Sequence, residues 1–257
     1  MIIATDISQL RTALYRLEGT IGVVPTMGNL HDGHLSLFKK ARLENDITIA
    51  TIFINPTQFN NAEDYKRYPR TLKEDTKLAK SSDIDIIFAP SESEMYPNGY
   101  NFRVNSSDSL MNILEGKYRS GHFEGVLTVV LKLFIATQAD KAYFAEKDYQ
   151  QLHLVTAMAK SFLLKTEIIP CPIIRLQSGL PLSSRNNNLS PEGLNKANEF
   201  ASILRSNHNI LTAIDILEKM NISVDYLEDH NERRFVAATV DEVRLIDNFS
   251  ISDIRNS

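Results

Sequence analysis

The 257-residue chain has a single cysteine and no long uninterrupted apolar run. That cysteine, Cys171, excludes an internal disulfide and fits a reducing compartment such as the cytoplasm. The longest apolar stretch, residues 126–136, is interrupted by Thr128 and Lys132 and is too short to span a bilayer. The first residues lack the basic and apolar segments of an export signal. We therefore expect a cytoplasmic protein that does not engage a membrane.

The chain also lacks a surplus of basic charge. Its net charge is −4 and its sequence pI is about 5.9, whereas proteins that bind nucleic acid carry clustered Lys and Arg. Nucleic acid is therefore not an expected partner. Two nucleotide motifs are absent as well: the Gly-x-x-x-x-Gly-Lys-[Ser/Thr] of P-loop NTPases and the Gly-x-Gly-x-x-Gly of dinucleotide dehydrogenases. Any nucleotide site must be built in another way.

Apolar segments of strand length recur along the first two thirds of the chain, with helical patterns between them. Such alternation predicts parallel strands joined by right-handed helical crossovers, which is an α/β fold. The predicted strands are residues 21–24, 47–54, 84–88, 142–144 and 167–169. Because ligands bind at the carboxyl ends of strands in an open α/β sheet, the polar residues that follow these strands are the first site candidates.

The sequence changes in character near residue 175. Turn-forming residues from Gln177 to Pro181 precede a polar stretch that ends at a predicted helix cap, Ser190-Pro191. Beyond it the pattern predicts helices at 192–206 and 212–220 and short strands at 224–227, 235–240 and 243–246. We predict one domain of residues 1–174 and a smaller α+β domain of residues 175–257.

The first site candidate is His31-Asp32-Gly33-His34, which follows the first predicted strand. Gly28 and Gly33 lack a Cβ, so backbone N–H groups can approach a phosphate there, and the helix that begins near Asp32 adds its positive end. The two imidazoles can donate hydrogen bonds to oxygens whose charge grows as pyrophosphate leaves. Two alternatives are open for an isolated match: half of a zinc site, although no third ligand stands at a suitable spacing, or two surface histidines without a function.

Other polar groups follow the later strands. Lys147 can reach a phosphate as a point charge, and Asp148 can accept from a ribose hydroxyl or hold Mg²⁺ through water. The segment Ser183-Ser184-Arg185 can close over a triphosphate. Gln58 and Gln151 can both donate and accept, which suits a substrate with a hydroxyl and a carboxylate. Taken singly, each has an ordinary structural explanation: a solvated charge run, a common loop sequence or a structural amide.

Taken together, these motifs resemble the pantothenate synthetase family, the pantoate–β-alanine ligases of the HxGH nucleotidyltransferase superfamily. The resemblance is dense from about residue 20 to 190 and resumes at residues 224–228 and 244–248. HxGH alone indicates only the superfamily. Three further motifs in this order are specific to the family: Asn-Pro-Thr-Gln-Phe, Glu-Lys-Asp-Tyr-Gln-Gln and Ser-Ser-Arg-Asn. The resemblance implies a Rossmann-like parallel sheet in the first domain and a small α+β lid, shortened relative to the family, in the second.

The resemblance also implies roles for matching positions of this sequence. The implied ATP site consists of Met27, Gly28, Asn29, Leu30, His31, Asp32, Gly33, His34, Ala145, Glu146, Lys147, Asp148, Ile174, Leu182, Ser183, Ser184 and Arg185. The catalytic candidates within it are His31, His34 and Lys147.

The two small substrates are assigned in the same way. The implied pantoate-binding residues are Gln58 and Gln151, and the β-alanine-binding residues are Gln58 and Tyr68. The residues expected to line the same site are Asn55, Arg119 and His122.

By this resemblance the chain catalyses the ATP-dependent condensation of (R)-pantoate with β-alanine to pantothenate, a coenzyme A precursor. A pantoyl adenylate is the implied intermediate, and AMP and pyrophosphate are the by-products. Mg²⁺ accompanies ATP with no protein residue assigned as a direct ligand, and a cytoplasmic homodimer is expected. Two alternatives stay open. One is another HxGH nucleotidyltransferase with a phosphorylated acceptor, and the other is an ATP-binding homologue with weak catalysis.

One residue of the implied ATP site departs from the family pattern. Ala145 stands where the family usually has glycine before Glu-Lys-Asp. If this position requires a positive φ angle, alanine adds strain. If it does not, only a methyl group has to be fitted near the nucleotide. We expect a weakened contact with ATP at most.

Overall fold

The chain divides into two units, each held by its own internal contacts. The computed structural model describes residues 1–206 and 208–255, so residues 207, 256 and 257 of the predicted second domain lie outside the described residues. The first unit comprises Met1–Glu146 and Gln150–Cys171, and the second comprises Lys147–Tyr149 and Pro172–Ser257. The short segment Lys147–Tyr149 thus belongs to the second unit, although the chain on either side of it belongs to the first.

Six parallel strands form the sheet of the first unit. They are β1 Ile2–Ala4, β2 Ile21–Thr26, β3 Ile47–Ile52, β4 Ile86–Phe88, β5 Lys141–Ala145 and β6 Glu167–Cys171. Their spatial order is β1-β4-β3-β2-β5-β6, and every neighbouring pair is parallel. The predicted α/β class is confirmed. The sequence pattern misses β1, because three residues at the edge of a sheet are too few to show a periodicity.

Helices cover both faces of this sheet. The helices that precede residue 162 are α1 Ile7–Tyr15, α2 Asp32–Glu44, α3 Ala62–Arg67, α4 Leu72–Ser81, α5 Glu92–Met95, α6 Glu115–Tyr118, α7 His122–Thr137 and α8 Tyr149–Ser161. Successive strand residues point to opposite faces, so Val23 packs in the core with α1, α7 and α8, and Val24 packs with α2 and α4. No helix within the described residues is long and apolar enough to cross a membrane.

The order of the strands changes direction between β2 and β5. From β2 the chain adds β3 and β4 on one side, and later it adds β5 and β6 on the other. In open α/β sheets, ligands bind in the crevice at the carboxyl ends of the strands at such a reversal. The segment Met27–His34 leaves β2 at this edge, and Glu146 leaves β5 there. The topology therefore places the first predicted motif where the fold accommodates a ligand.

The second unit is a small α+β structure with its own core. Its elements are α9 Pro191–Arg205, α10 Ile210–Lys219, β7 Ser223–His230, β8 Arg233–Val240, β9 Val243–Ser250 and α11 Ile251–Arg255. The strands form an antiparallel sheet in the order β7-β8-β9. The predicted cap is confirmed, because the Ser190 side chain accepts from the Gly193 N–H and Pro191 opens α9. Phe200, Leu217 and Val236 lie fully buried between the helices and the sheet.

Two-residue turns join the three strands of this sheet. Asn231 and Glu232 form the first turn, and Asp241 and Glu242 form the second. All four residues have positive φ angles, from 45° to 67°. Two consecutive positive φ angles define a type I′ turn, which matches the twist of the strands it joins. Glycine is favoured at the second position of such a turn, whereas this chain has glutamate at both.

Candidate active site

The loop after β2 is held by a buried carboxylate from α4. Gly28 and Asn29 have φ angles of 81° and 51°, and this turn directs the N–H groups of Asn29 and Leu30 toward Asp75. The Asp75 oxygens accept these N–H groups at 3.1 Å and 2.8 Å and accept the Thr71 hydroxyl at 3.0 Å. Asp75 is only 1% exposed. A Cβ on Gly28 would lie 2.9 Å from Oδ2 of Asp75, so glycine permits the close approach of this carboxylate.

This geometry corrects the physical reason for which Gly28 was predicted to bind phosphate. The N–H of Gly28 donates to the Thr26 hydroxyl, and those of Asn29 and Leu30 donate to Asp75. These donors serve the fold, because a buried carboxylate must be satisfied by hydrogen bonds. The N–H groups of Gly28, Asn29 and Leu30 are therefore already engaged within the protein, and the side chains of the two histidines that follow are the remaining candidates for phosphate.

His31 and His34 cap the start of α2 with their own rings. His31 Nδ1 accepts from the Gly33 N–H at 3.1 Å, and His34 Nδ1 accepts from the His31 N–H at 3.3 Å. The two rings lie 4.1 Å apart. An imidazole nitrogen that accepts a hydrogen bond carries no proton, so the neutral ring holds its proton on Nε2. The helix cap thus sets both tautomers, and each histidine has an Nε2–H donor.

A second cluster surrounds Gln58, after β3. The Asn55 amide donates to Gln58 Oε1 at 3.0 Å and to the Gly125 carbonyl at 3.1 Å. The Gln58 amide donates to the Met27 sulfur at 3.3 Å, which links this cluster to the loop of the two histidines. Gly125 allows α7 to come close, because a Cβ there would lie 2.5 Å from the Thr57 carbonyl oxygen. The structure therefore brings the predicted residues Met27, Asn55 and Gln58 together.

Arg119 and His122 hold the backbone of Gln58. His122 Nδ1 lies 2.8 Å from the Gln58 carbonyl oxygen, and Arg119 lies 3.1 Å from His122 Nε2. Because a guanidinium can only donate, His122 Nε2 is an acceptor and its Nδ1 carries the proton. Arg119 also pairs with the buried Glu115 at 3.4 Å. The predicted lining residues Arg119 and His122 thus lie beside Gln58, and His122 contacts its main-chain carbonyl.

The other predicted residues of the first unit lie at the ends of its elements. Tyr68 ends α3 and packs edge-on against Phe59, the residue after Gln58, with 5.6 Å between ring centroids. Gln151 lies partly exposed in the first turn of α8. Ala145 is the last residue of β5, pairs with Cys171 and does not have a positive φ angle. Ala145 therefore adds no backbone strain of the kind considered above. Only its methyl group has to be accommodated near the nucleotide.

Within the second unit, Lys147 shares a pocket with two residues of the predicted phosphate loop, which is residues 182–185. Lys147, Ser183 and Arg185 line this pocket together with Asn186. The Lys147 ammonium lies 3.7 Å from a carboxylate oxygen of Asp148. The Ser183 hydroxyl accepts from the Arg185 N–H at 3.2 Å and caps the short 3₁₀ turn Ser184–Asn188. Arg244 also lines this pocket, and cationic side chains together with a hydroxyl are a donor set suited to phosphate.

The base of the phosphate loop is closed by its own backbone. The Leu182 N–H donates to the Ile174 carbonyl at 2.9 Å, and Arg175 and Pro181 form an isolated antiparallel bridge. Ile174 and Leu182, both predicted to bind ATP, are therefore adjacent to each other. The segment between them is a turn whose Gly179 has a φ angle of 90°.

Known proteins similar to this chain share both its sequence and its fold. A family profile described as pantoate-beta-alanine ligase matches residues 2–250. The chain belongs to the pantoate-β-alanine ligase family. A pantothenate synthetase of Francisella philomiragia is 47% identical over 254 residues, with 97% of each chain covered. A pantothenate synthetase of Coxiella burnetii is 48% identical over 229 residues, with 89% of this chain and 88% of the relative covered.

Solved structures support the same assignment. A pantoate-β-alanine ligase of Francisella tularensis, crystallised with β,γ ATP and β-alanine, has a TM-score of 0.96 at 46% identity, and 98% of each chain is covered. A pantothenate synthetase of Thermus thermophilus has a TM-score of 0.90 at 39% identity, with 98% of this chain and 99% of that chain covered. Because nearly all of each solved chain and 98% of this chain are covered, the family fold extends over nearly all of this chain.

Sequence reasoning on this member of the pantoate-β-alanine ligase family missed two residues that organise the site. Asp75 and Asn248 both lie in segments that resemble the family, but nothing in those segments indicates a role for them. Asp75 holds the turn before His31, and the Asn248 amide donates to the carbonyl of Lys147. Each acts on a residue far away along the chain, which no local motif can show.

Proposed function

We propose that this chain joins (R)-pantoate to β-alanine at the expense of ATP and forms pantothenate, AMP and pyrophosphate. Membership of the pantoate-β-alanine ligase family supports this activity. The observation that carries the proposal is the linked cluster at the carboxyl end of β2. There the two histidines present Nε2–H donors, and Met27 connects their loop to the amide of Gln58. This link supports the proposal that the side chains for phosphate and for pantoate lie in one structure of the first unit.

In the first step, a carboxylate oxygen of pantoate attacks the α-phosphorus of ATP. The bond from that phosphorus to the bridging oxygen of pyrophosphate breaks, and a pantoyl adenylate forms. Pantoate is ionised at neutral pH, so this attack needs alignment and charge stabilisation rather than a base. His31, His34 and Lys147 are the proposed donors to the phosphate oxygens, and Gln58 and Gln151 are the proposed ligands of pantoate.

In the second step, the amine of β-alanine attacks the carbonyl carbon of the pantoyl adenylate. The bond to the AMP oxygen breaks, and an amide remains. The ammonium form of β-alanine, with a pKa of about 10, must first lose a proton. We assign β-alanine to Gln58 and Tyr68. Gln58 directly precedes Phe59, and the Tyr68 ring packs against the Phe59 ring.

The remaining assignments to ATP are those of the family pattern. We propose that the segment Met27–His34 and the residues Ala145 and Glu146 bind the nucleotide in the first unit. In the second unit the proposed ligands are Lys147, Asp148, Ile174, Leu182, Ser183, Ser184 and Arg185. The shared pocket of Lys147, Ser183 and Arg185 supports this phosphate role.

The carboxylates of this chain fit a magnesium ion that arrives with ATP. Among the described residues no three His, Cys, Asp or Glu side chains cluster as a metal site. Mg²⁺ usually keeps several waters and binds one or two carboxylates together with substrate phosphates. Asp148, whose side chain is 42% exposed beside Lys147, would hold it through water, and the ion would offset the charge of the phosphates. A cytoplasmic homodimer remains our proposal for the compartment and the assembly.

One assay tests the proposed function against both alternatives. Purified protein is incubated with Mg-ATP and pantoate, with and without β-alanine, and pyrophosphate and AMP are measured. We expect AMP to form in a steady state only when both substrates are present. AMP formation that does not need both would disprove the proposal. Nucleotide transfer to a phosphorylated acceptor would identify another nucleotidyltransferase, and ATP binding without turnover would identify an inactive homologue.

A further inference from the structure

A buried asparagine of β9 holds the backbone of Lys147. The Nδ2 of Asn248 donates to the Lys147 carbonyl at 2.7 Å, and Asn248 is only 2% exposed. Its Oδ1 accepts from the Arg233 guanidinium. Because arginine can only donate, the amide oxygen must face Arg233 and the amide nitrogen must face Lys147. The orientation of Asn248 is therefore fixed by its neighbours.

The same arginine also fixes the residue that begins α8. The Arg233 guanidinium carbon lies 4.0 Å from the centroid of the Tyr149 ring, a distance typical of a cation–π contact. Lys147 is thus held through its own carbonyl and through the second residue after it. All of these residues belong to the second unit.

The residue before Asn248 holds the base of the phosphate loop. Asp247 is 3% exposed and accepts two hydrogen bonds from the Arg175 guanidinium, at 2.8 Å and 2.9 Å. Arg175 donates further to the carbonyls of Gly179 and Asn248, at 2.9 Å and 3.0 Å. A bidentate, buried pair of this kind is geometrically strict. Two successive residues of β9 therefore anchor Lys147 and the turn that leads into Ser183.

We propose that Asn248 is a positioning residue for Lys147 and keeps its side chain in the pocket with Ser183 and Arg185. The inference rests on the proposed function, in which Lys147 donates to ATP phosphates. The lysine side chain has four flexible bonds, so a fixed backbone narrows the range of positions that its ammonium can reach. A misplacement of about 1 Å at a reacting group can cost about 100-fold in rate.

Asn248→Asp is the variant that isolates this contact. It keeps the shape of the side chain and an oxygen for Arg233, but it places a second oxygen against the Lys147 carbonyl. We expect kcat/KM for AMP formation to fall by about 10- to 100-fold and the affinity for Mg-ATP to fall as well. Asp229→Asn is the matched control, because it weakens an ion pair with Arg234 in the same sheet, and by register this pair lies on the opposite face from Arg233 and Asn248. It is expected to show wild-type kinetics.

A double-mutant cycle with Lys147→Ala separates positioning from a general structural effect. If Asn248 acts through Lys147, Asn248→Asp has little further effect once the lysine side chain is absent. Equal losses with and without the lysine side chain would overturn the proposal, and so would wild-type behaviour of Asn248→Asp. The cycle is measured on kcat/KM and also on the dissociation constant of Mg-ATP. If the wild-type protein forms no AMP, the proposed function fails, and the ATP-binding cycle still decides the role of Asn248.

Discussion

At the scale of single residues, His34 has two roles that substitution can separate. Its Nδ1 caps α2 by accepting the His31 N–H, and its Nε2–H is the proposed donor to phosphate. Asparagine keeps an oxygen for the cap but has no group at the position of Nε2. We expect His34→Asn and His34→Ala both to lower kcat by at least about 100-fold, measured as steady-state AMP formation.

Thermal unfolding separates the two His34 variants. His34→Asn should stay close to the wild-type Tm because the cap is retained, whereas His34→Ala should melt lower. His153→Ala, at an exposed histidine of α8, is the control and should leave kcat unchanged. Wild-type turnover by His34→Asn would restrict this histidine to capping.

The variant Asp75→Asn tests whether the turn before the histidines affects kcat/KM for ATP. In Asp75→Asn, an amide NH₂ replaces an oxygen that accepts from Asn29, Leu30 or Thr71. The buried mismatch should lower the free energy of unfolding by about 1–3 kcal/mol, measured with urea. It should also lower kcat/KM for ATP, because the turn sets the position of the backbone that carries the two histidines.

The control for Asp75 is an aspartate that also accepts backbone and hydroxyl groups but lies outside the site. Asp46 is exposed and accepts from the N–H and the hydroxyl of Thr20, before the start of β2. Asp46→Asn should leave kcat/KM for ATP unchanged. If Asp75→Asn also kept the wild-type kcat/KM, the carboxylate would serve stability alone.

At this scale, candidate site residues can be located from the sequence where a motif places chemistry at short spacing. His31 and His34 are three positions apart on one helix turn, and the sequence identifies them directly. The partners of Asp75 and Asn248 are not local: Leu30 lies 45 residues from Asp75, and Lys147 lies 101 residues from Asn248. The sequence shows that these residues are polar, but only the fold shows what they contact.

At the scale of elements, the turn between β8 and β9 contains a correctable strain. Glu242 has a φ angle of 67° at the second position of a type I′ turn, where glycine is favoured. Glu242→Gly should relieve that strain and raise the free energy of unfolding by up to about 1 kcal/mol, after the entropy cost of glycine is subtracted.

Thermal or urea unfolding checks the Glu242→Gly variant, with Glu218→Gly as its control. Glu218 is exposed on α10, where glycine should lower stability by about 1 kcal/mol. A loss of stability in both variants would show that the turn conformation at Glu242 carries no strain that glycine can release.

Elements were predictable in proportion to their length and burial. The central strand β3 is apolar on both faces, and the sequence predicts it with an error of only two residues at its end. The four-residue helices α5 and α6 were not predicted, since such a short helix spans about one turn and leaves no amphipathic repeat. The cap of α5, in which the Ser91 side chain accepts from the Glu94 N–H, becomes visible only in the structure.

At the scale of the whole molecule, the order of the strands explains how segments far apart in the sequence of the first unit come to follow neighbouring strands of one sheet. The sequence predicts parallel strands but not their spatial order, because that order depends on which crossovers go to which side of β2. The same limit applies to Lys147–Tyr149, which a division of the sequence at one point cannot assign to the second unit. The hydrogen bond from Asn248 of β9 to the Lys147 carbonyl is one of the contacts that tie this segment to the second unit.

The single cysteine provides a probe of the integrity of the first unit as a whole. Cys171 ends β6, is 3% exposed, and its burial raises the pKa of its thiol to about 11. At pH 8 only about one thiol in a thousand would then be ionised, so a thiol-specific reagent should react very slowly with the native protein. Unfolding in guanidinium should release one reactive thiol per chain. Ser93→Cys, at an exposed position of α5, should add one fast-reacting thiol as a control. Fast stoichiometric labelling of the native wild-type protein would show that β6 opens readily and that Cys171 is not kept buried at this edge of the sheet.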